Sequence, residues 1–328
     1  MAPRGGVLLR WVVAAPGRAV VRALALVVGV AVSRGALAHE DAGPRLRALD
    51  GALERAPGDV GLLVERARMR RLGGMIEGAS ADLRRAHELA PERGEPWLEV
   101  ARLDDARGDR GRALADLAAA LAAPVLGASA RAEALDLRAL IHEDAGRLDH
   151  ARADLDAAVT VVPTPERVLA RGRVDEARGD LEAAAEGYRD GIRRLGPAVV
   201  LVRALVRVAR ARGDLELALT AVDAVMAGAQ VKAEWRLERA TLLAAAGDAS
   251  GARREREAAL AELDATRASD LRRLLRARAL IGLGRLEEAR REVDGARERG
   301  ARLPGLERLD ACLKGQARGA EGEVGACE

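Results

Sequence analysis

Residues 206–225 read VRVARARGDLELALTAVDAV. Apolar and small side chains return every three or four positions on both sides of Gly213, so the stretch predicts two amphipathic helices that meet at a glycine. A glycine there takes positive φ without a Cβ clash and lets the chain reverse at the end of the first helix. Outward from this stretch the same wording returns. Gly74, Gly108, Gly146, Gly179, Gly213, Gly247 and Gly284 stand 33 to 38 residues apart, and each is followed five residues later by an alanine, from Ala79 to Ala289. In so Gly- and Ala-rich a chain one such match carries little weight. Further columns in the same register decide the matter. Seven residues before each glycine stand Ala67, Ala101, Ala139, Gly172, Val206, Ala240 and Ala277; nine after it stand Leu83, Leu117, Leu155, Tyr188, Val222, Arg256 and Val293. Arg256 alone breaks the apolar column.

Small residues at facing positions allow two helices to approach closely, and Pro57, Pro91, Pro124, Pro163 and Pro197 close the second helix of successive units. One such pair cannot bury its apolar face alone, so the units are expected to stack. As a set, the unit length, turn glycine, small-residue columns and closing proline resemble the tetratricopeptide repeat family over residues 58–301. The resemblance implies an all-α fold, an α-solenoid with a right-handed superhelix made of about seven helix-turn-helix repeats. Residues 39–57 are then an N-terminal capping helix, and 302–328 a C-terminal capping helix and mobile tail. The chain departs from the family pattern at the residue before the small column, which is Arg66, Arg138, Arg171, Arg239 and Arg276 in five units. These arginines are expected to lay their stems on the core and send the guanidinium to solvent.

Residues 1–38 hold five arginines, no acid and a ten-residue apolar run, Ala23 to Val32, before Ala36-Leu37-Ala38. They read as a secretory signal peptide cleaved after Ala38, giving an exported chain, periplasmic or secreted; an uncleaved anchor is the alternative. The whole chain carries 54 basic and 51 acidic residues, a formal charge of +3. Without the five leader arginines 49 basic residues face 51 acidic ones, and the suggestion of nucleic-acid binding disappears. No Phe, one Tyr and three Trp leave little for base-stacking platforms or aromatic cages.

No nucleophile elbow, P-loop, dinucleotide fingerprint or CxxC stands in proper context, so the chain reads as non-catalytic, with no cofactor and no metal centre. His142-Glu143-Asp144 repeats the wording of His39-Glu40-Asp41, which supports only a weak alternative, a metal-binding protein or hydrolase using His39 and His142. Adjacent helical residues point apart and do not converge on one ion. Cys312 and Cys327 form a possible disulfide in an oxidising compartment; free thiols and intermolecular linkage are the other readings.

The resemblance implies that the first helix of each pair lines a concave groove where partner peptides lie. The groove position, six residues before the glycine, holds Arg68, Arg102, Arg173, Arg207 and Arg278 among seven units, and Arg203 and Arg210 share the face of Arg207. Such a stripe suits the carboxylates of a protein or peptide partner, or an anionic envelope polymer. Glu99, Asp105, Glu133, Glu143 and Glu166 are expected beside it as internal ion-pair partners. With two lysines and no asparagine, the Lys- and Asn-based clamp by which some family members hold chaperone tails is missing. The leading reading is an exported scaffold or adaptor. A structural component of an envelope assembly is the alternative.

Overall fold

The computed structural model describes residues 43–265, 269–301, 303 and 305–316. The expected signal segment, His39, Cys327 and most of the expected tail lie outside them. Apart from one isolated bridge between Arg93 and Val125, every regular element among the described residues is helical. After α1 (43–55) the helices fall into hairpins. Hairpin 1 is α2 (Val60–Leu72) with α3 (Ile76–Leu89), hairpin 2 is α4 (Glu95–Ala106) with α5 (Arg110–Ala122), and hairpin 3 is α6 (Ala128–Asp144) with α7 (Leu148–Val161). Hairpin 4 pairs α8 (Pro165–Ala177) with α9 (Leu181–Leu195), hairpin 5 α10 (Val199–Ala211) with α11 (Leu215–Gly228), and hairpin 6 α12 (Ala233–Ala245) with α13 (Ala249–Asp264). Hairpin 7 is α14 (Asp270–Gly282) with α15 (Leu286–Arg297), and α16 (Leu306–Gln316) follows it.

Each hairpin turns on the glycine that the sequence marks. All seven have φ between +70° and +86°, a region that costs an L side chain about 1–2 kcal/mol. In hairpin 5 the Asp214 N–H reaches back to the Ala209 carbonyl at 2.9 Å and closes α10, while its carboxylate accepts from the Leu217 N–H at 3.0 Å and opens α11. The Gly-Asp dipeptide thus ends one helix and caps the next. Asp109, Asp180 and Asp248 cap in the same way. The five closing prolines all fall within two residues after a helix end.

The chain divides into two compact units, residues up to Ala134 and from Leu135 onward, with the division inside α6. The core of the first unit joins Leu53, Leu63, Ala67, Leu83 and Leu103. The second has one cluster centred on Leu201, Leu205 and Val222 and another on Leu237, Leu280 and Val293. Ala67, Ala101, Ala139, Ala240 and Ala277 are at most 1% exposed, as close helix approach requires. Gly172 and Tyr188 are the exception in both columns at once. The Tyr188 ring fills the place that a Gly172 Cβ would take, 2.3 Å from that position. Arg256 is buried on α13 despite its charge.

The arginines before the small column do not reach for solvent. Four of the five sit beside an acidic residue sixteen positions later, on the second helix of their own hairpin. Arg66 holds Asp82 with two hydrogen bonds, at 2.9 and 2.6 Å, and Arg138 holds Asp154 at 2.9 and 2.5 Å. Arg239 meets Glu255 at 2.7 Å and Arg276 meets Glu292 at 2.8 Å. Four of the arginines also meet an acid of the preceding helix: Arg66 with Asp50, Arg171 with Asp156, Arg239 with Asp223 and Arg276 with Asp264. The expectation of solvated guanidinium groups is corrected for a physical reason. A forked donor lying on a dry seam finds a facing carboxylate, and the pair avoids the cost of an unpaired buried charge. Hairpin 5 replaces both partners together, with buried Leu205 and Ala221 at the two positions. Hairpins 2 and 4 break the pattern on one side only. Val100 faces Asp116, and Arg171 faces Gly187.

Candidate functional site

Helices α10, α12 and α14, the first helices of hairpins 5, 6 and 7, bring their polar faces together in the second unit. Arg203, Arg207 and Arg210 leave α10 at helical spacing, and Arg278 comes from α14. With Val206, Glu234, Trp235 and Glu238 they line an open cavity of about 230 Å³. Four of the seven arginines expected to bind a partner therefore share one hollow.

Most of them are held by carboxylates. Arg203 meets Glu234 at 2.7 Å and places its guanidinium carbon 5.1 Å from the centre of the Trp235 ring. That contact sets the guanidinium over an aromatic face. Arg210 meets Glu238 at 3.4 Å, and Arg207 bonds Glu176 of α8. Glu176 also accepts the Tyr188 hydroxyl at 2.6 Å, which joins the core of hairpin 4 to the rim of the cavity. Burial and the adjacent Glu176 carboxylate hold the Tyr188 hydroxyl well above its usual pKa, so it stays a donor. The hydrogen bond to Glu176 raises the pKa of Arg207. Arg278 has no ion-pair partner among the described residues and is the cation left open to an incoming anion.

The other expected residues lie elsewhere. Arg68 and Arg102 belong to the first unit, where they converge with Arg71 on Glu99, a carboxylate only 1% exposed; Arg102 also meets Glu133 at 2.5 Å. Burial works against the charge of Arg102, and the two glutamates outweigh it and raise its pKa. Arg173 is exposed on α8 with no ion-pair partner among the described residues. His142 accepts at Nδ1 from Arg147 Nε at 3.0 Å, and its ring lies 5.1 Å from that of His150. Burial and the nearby Arg147 guanidinium lower its pKa. Cys312 packs half-buried on α16 against the last core cluster, and Cys327 is outside the described residues.

Two features of the cavity escape a reading of single columns. Trp235 and the Tyr188–Glu176 link stand 32 and 31 residues from the arginines they contact, so only the stacking of neighbouring hairpins brings them together. The signal was present in part, because Trp235 and Tyr188 are two of only four aromatic residues of the Trp and Tyr types.

Hairpins of about 34 residues, each set on a left-handed glycine with a small-residue contact between its helices, define the repeat. Its fold is tetratricopeptide-like. No family profile and no curated protein match the chain. Among solved structures, it is similar to a tetratricopeptide repeat protein from Parabacteroides merdae, 15% identical over 78% of this chain and 98% of that one, with a TM-score of 0.41. It is also similar to PilW, a type IV pilus biogenesis factor (18% identical, 58% and 88% covered, TM-score 0.45). YrrB, described as a TPR protein with an unusual peptide-binding site, is 14% identical with 62% and 95% covered and a TM-score of 0.41.

Proposed function

We propose that the protein is an exported, non-catalytic scaffold that binds a carboxylate-bearing segment of another protein at the α10–α12–α14 cavity. The observation that carries this reading is Arg278, a cation without an ion-pair partner among the described residues, beside three further arginines and Trp235. A peptide carboxylate accepts forked hydrogen bonds there, while the aliphatic part of the segment lies against Trp235 and Val206. Glu234, Glu238 and Glu176 hold the other arginines in place before the partner arrives, which reduces the entropy cost of binding. The lining contains no Ser, Cys or His to act as nucleophile or base, which supports a binding role. Export rests on the leader-like composition of residues 1–38.

The test is an envelope-extract pull-down with the full chain, its Arg278→Gln variant and an Arg203→Glu/Arg207→Glu/Arg210→Glu variant. Captured proteins are identified, and their acidic segments are titrated as peptides against all three. Arg278→Gln touches no internal ion pair, so it is expected to keep the wild-type helicity and lose at least tenfold in affinity. Equal binding by wild type and both variants would sink the proposal.

A further inference from the structure

The seam of hairpin 2 lacks the arginine that the other charged seams carry, and a cavity stands there. Val100 occupies the arginine position on α4, and its short side chain leaves a hollow of about 260 Å³ between α3 and α4, within the first compact unit. Leu83, Trp97 and Val100 contribute to an almost wholly apolar lining. The Trp97 ring meets His87 edge-on at 4.7 Å, and His87 Nδ1 is buried with no hydrogen-bond partner among the described residues.

The charge beside this hollow is opposite to that of the seams where an aspartate of the preceding helix meets the arginine. At the position on the preceding second helix where Asp50, Asp156 and Asp223 face an arginine, α3 carries Arg84. Arg84 is exposed and has neither an ion pair nor a hydrogen bond among the described residues. Arg107 stands on the same rim, 52% exposed, with one 3.4 Å contact to Asp104. The hollow is smaller than the roughly 300–1,000 Å³ of a small-molecule site and of the size of one bulky side chain. Apolar walls under a cationic rim fit a single apolar anchor with carboxylates next to it, the arrangement of a binding hot spot.

We propose that the hairpin 2 seam docks a protein partner through one bulky apolar side chain seated against Trp97 and Val100, with flanking acidic residues on Arg84 and Arg107. This site is separate from the α10–α14 cavity and stands on different residues.

The three tryptophans, Trp11, Trp97 and Trp235, allow both sites to be watched at once. The full chain is labelled with 5-fluorotryptophan, its ¹⁹F resonances are assigned by Trp→Phe replacement, and three capped peptides are titrated: Gly-Glu-Leu-Glu-Gly, Gly-Lys-Leu-Lys-Gly and Gly-Glu-Ser-Glu-Gly. The Glu-Leu-Glu peptide is expected to shift the Trp97 resonance saturably, at least tenfold more tightly than the other two. Val100→Arg fills the hollow and sets a guanidinium opposite Asp116, as the other charged hairpins do, so helicity is expected to hold while the Trp97 response is lost. Arg84→Glu changes an exposed, unpaired side chain and is expected to reverse the preference toward the lysine peptide, a second check that does not depend on core repacking. The proposal fails if Trp97 does not respond, if it responds equally to the lysine peptide, or if both variants respond as wild type does. A response of Trp235 alone also overturns it and leaves the α10–α14 reading standing.

Discussion

Replacing Gly172 by alanine tests the packing logic at its tightest point. An alanine Cβ would lie 2.3 Å from the Tyr188 Cε1 and Cζ atoms and 2.6 Å from its hydroxyl oxygen. The ring is fully buried, so it has no free direction in which to yield. Overpacking of this kind costs roughly 1–3 kcal/mol. Pulling the hydroxyl from the Glu176 carboxylate adds roughly 1.5–3 kcal/mol, and the better helix propensity of alanine returns roughly 0.5–1 kcal/mol. The net expectation is a loss of about 2–5 kcal/mol for Gly172→Ala. Hairpins 1, 2 and 3 solve the same contact with Ala67 and Leu83, Ala101 and Leu117, Ala139 and Leu155. Tyr188→Leu alone leaves a void over the glycine, whereas Gly172→Ala/Tyr188→Leu rebuilds the combination of those hairpins and leaves Glu176 its bond to Arg207. The two changes should therefore compensate, and the double variant should be more stable than either single one. Urea unfolding followed by circular dichroism at 222 nm and by Trp235 fluorescence measures the cycle. A wild-type transition for Gly172→Ala, or a double variant no better than the sum of the singles, would refute the reasoning.

Two further predictions concern the broken seams. Burial and the neighbouring Asp104 push the Asp116 carboxyl up to about 6 from an ordinary 3.8, and the Arg112 guanidinium offsets only part of this. A raised folded-state pKa favours the protonated form, so its stabilising effect is complete below pH 3.8 and is lost as the pH rises through 6. Asp116→Asn should therefore raise the melting temperature at pH 7.5, and the gain should shrink toward pH 5; an equal gain at both values would contradict the assignment. In hairpin 4, Arg171 Nε is buried without a hydrogen-bond partner, and burial and the nearby Arg152 lower the pKa of this guanidinium. Gly187→Asp supplies the missing carboxylate at the expense of moving only the flexible Arg171 tip, and should add about 1–2 kcal/mol in urea titration, whereas Gly187→Ser adds less.

The parts of the fold legible in the sequence are those governed by short-range chemistry. A glycine that must take positive φ, an aspartate that caps the next helix and a proline that stops one act within a few residues, and each stands where the structure uses it. The direction of the seam arginines is not legible in one column, because their partners stand in another. Arg66 and Asp82 are sixteen residues apart, a distance that joins two helices and has no meaning along either one. The candidate site was legible as a face and not as a set of pairings. Helical spacing puts Arg203, Arg207 and Arg210 together, but Glu234 and Glu176 each reach them from 31 residues away, across neighbouring hairpins. The joint exception of Gly172 and Tyr188 was visible in the columns, and two departures in one unit are the mark of a compensated contact.

The signs carried by the seams also make the hairpins non-interchangeable. A hairpin whose second helix offers Asp156 or Asp223 accepts a follower that begins with an arginine, as Arg171 and Arg239 show. Hairpin 1 offers Arg84 instead, and an arginine-bearing follower would set two guanidinium groups against each other; Val100 is neutral and avoids this. Junctions of this kind work as keyed joints. A duplicated or transposed copy of hairpin 1 would meet a mismatched neighbour, so the order of the hairpins is written into their edges, and growth or shuffling of the array requires that both sides of a joint change together.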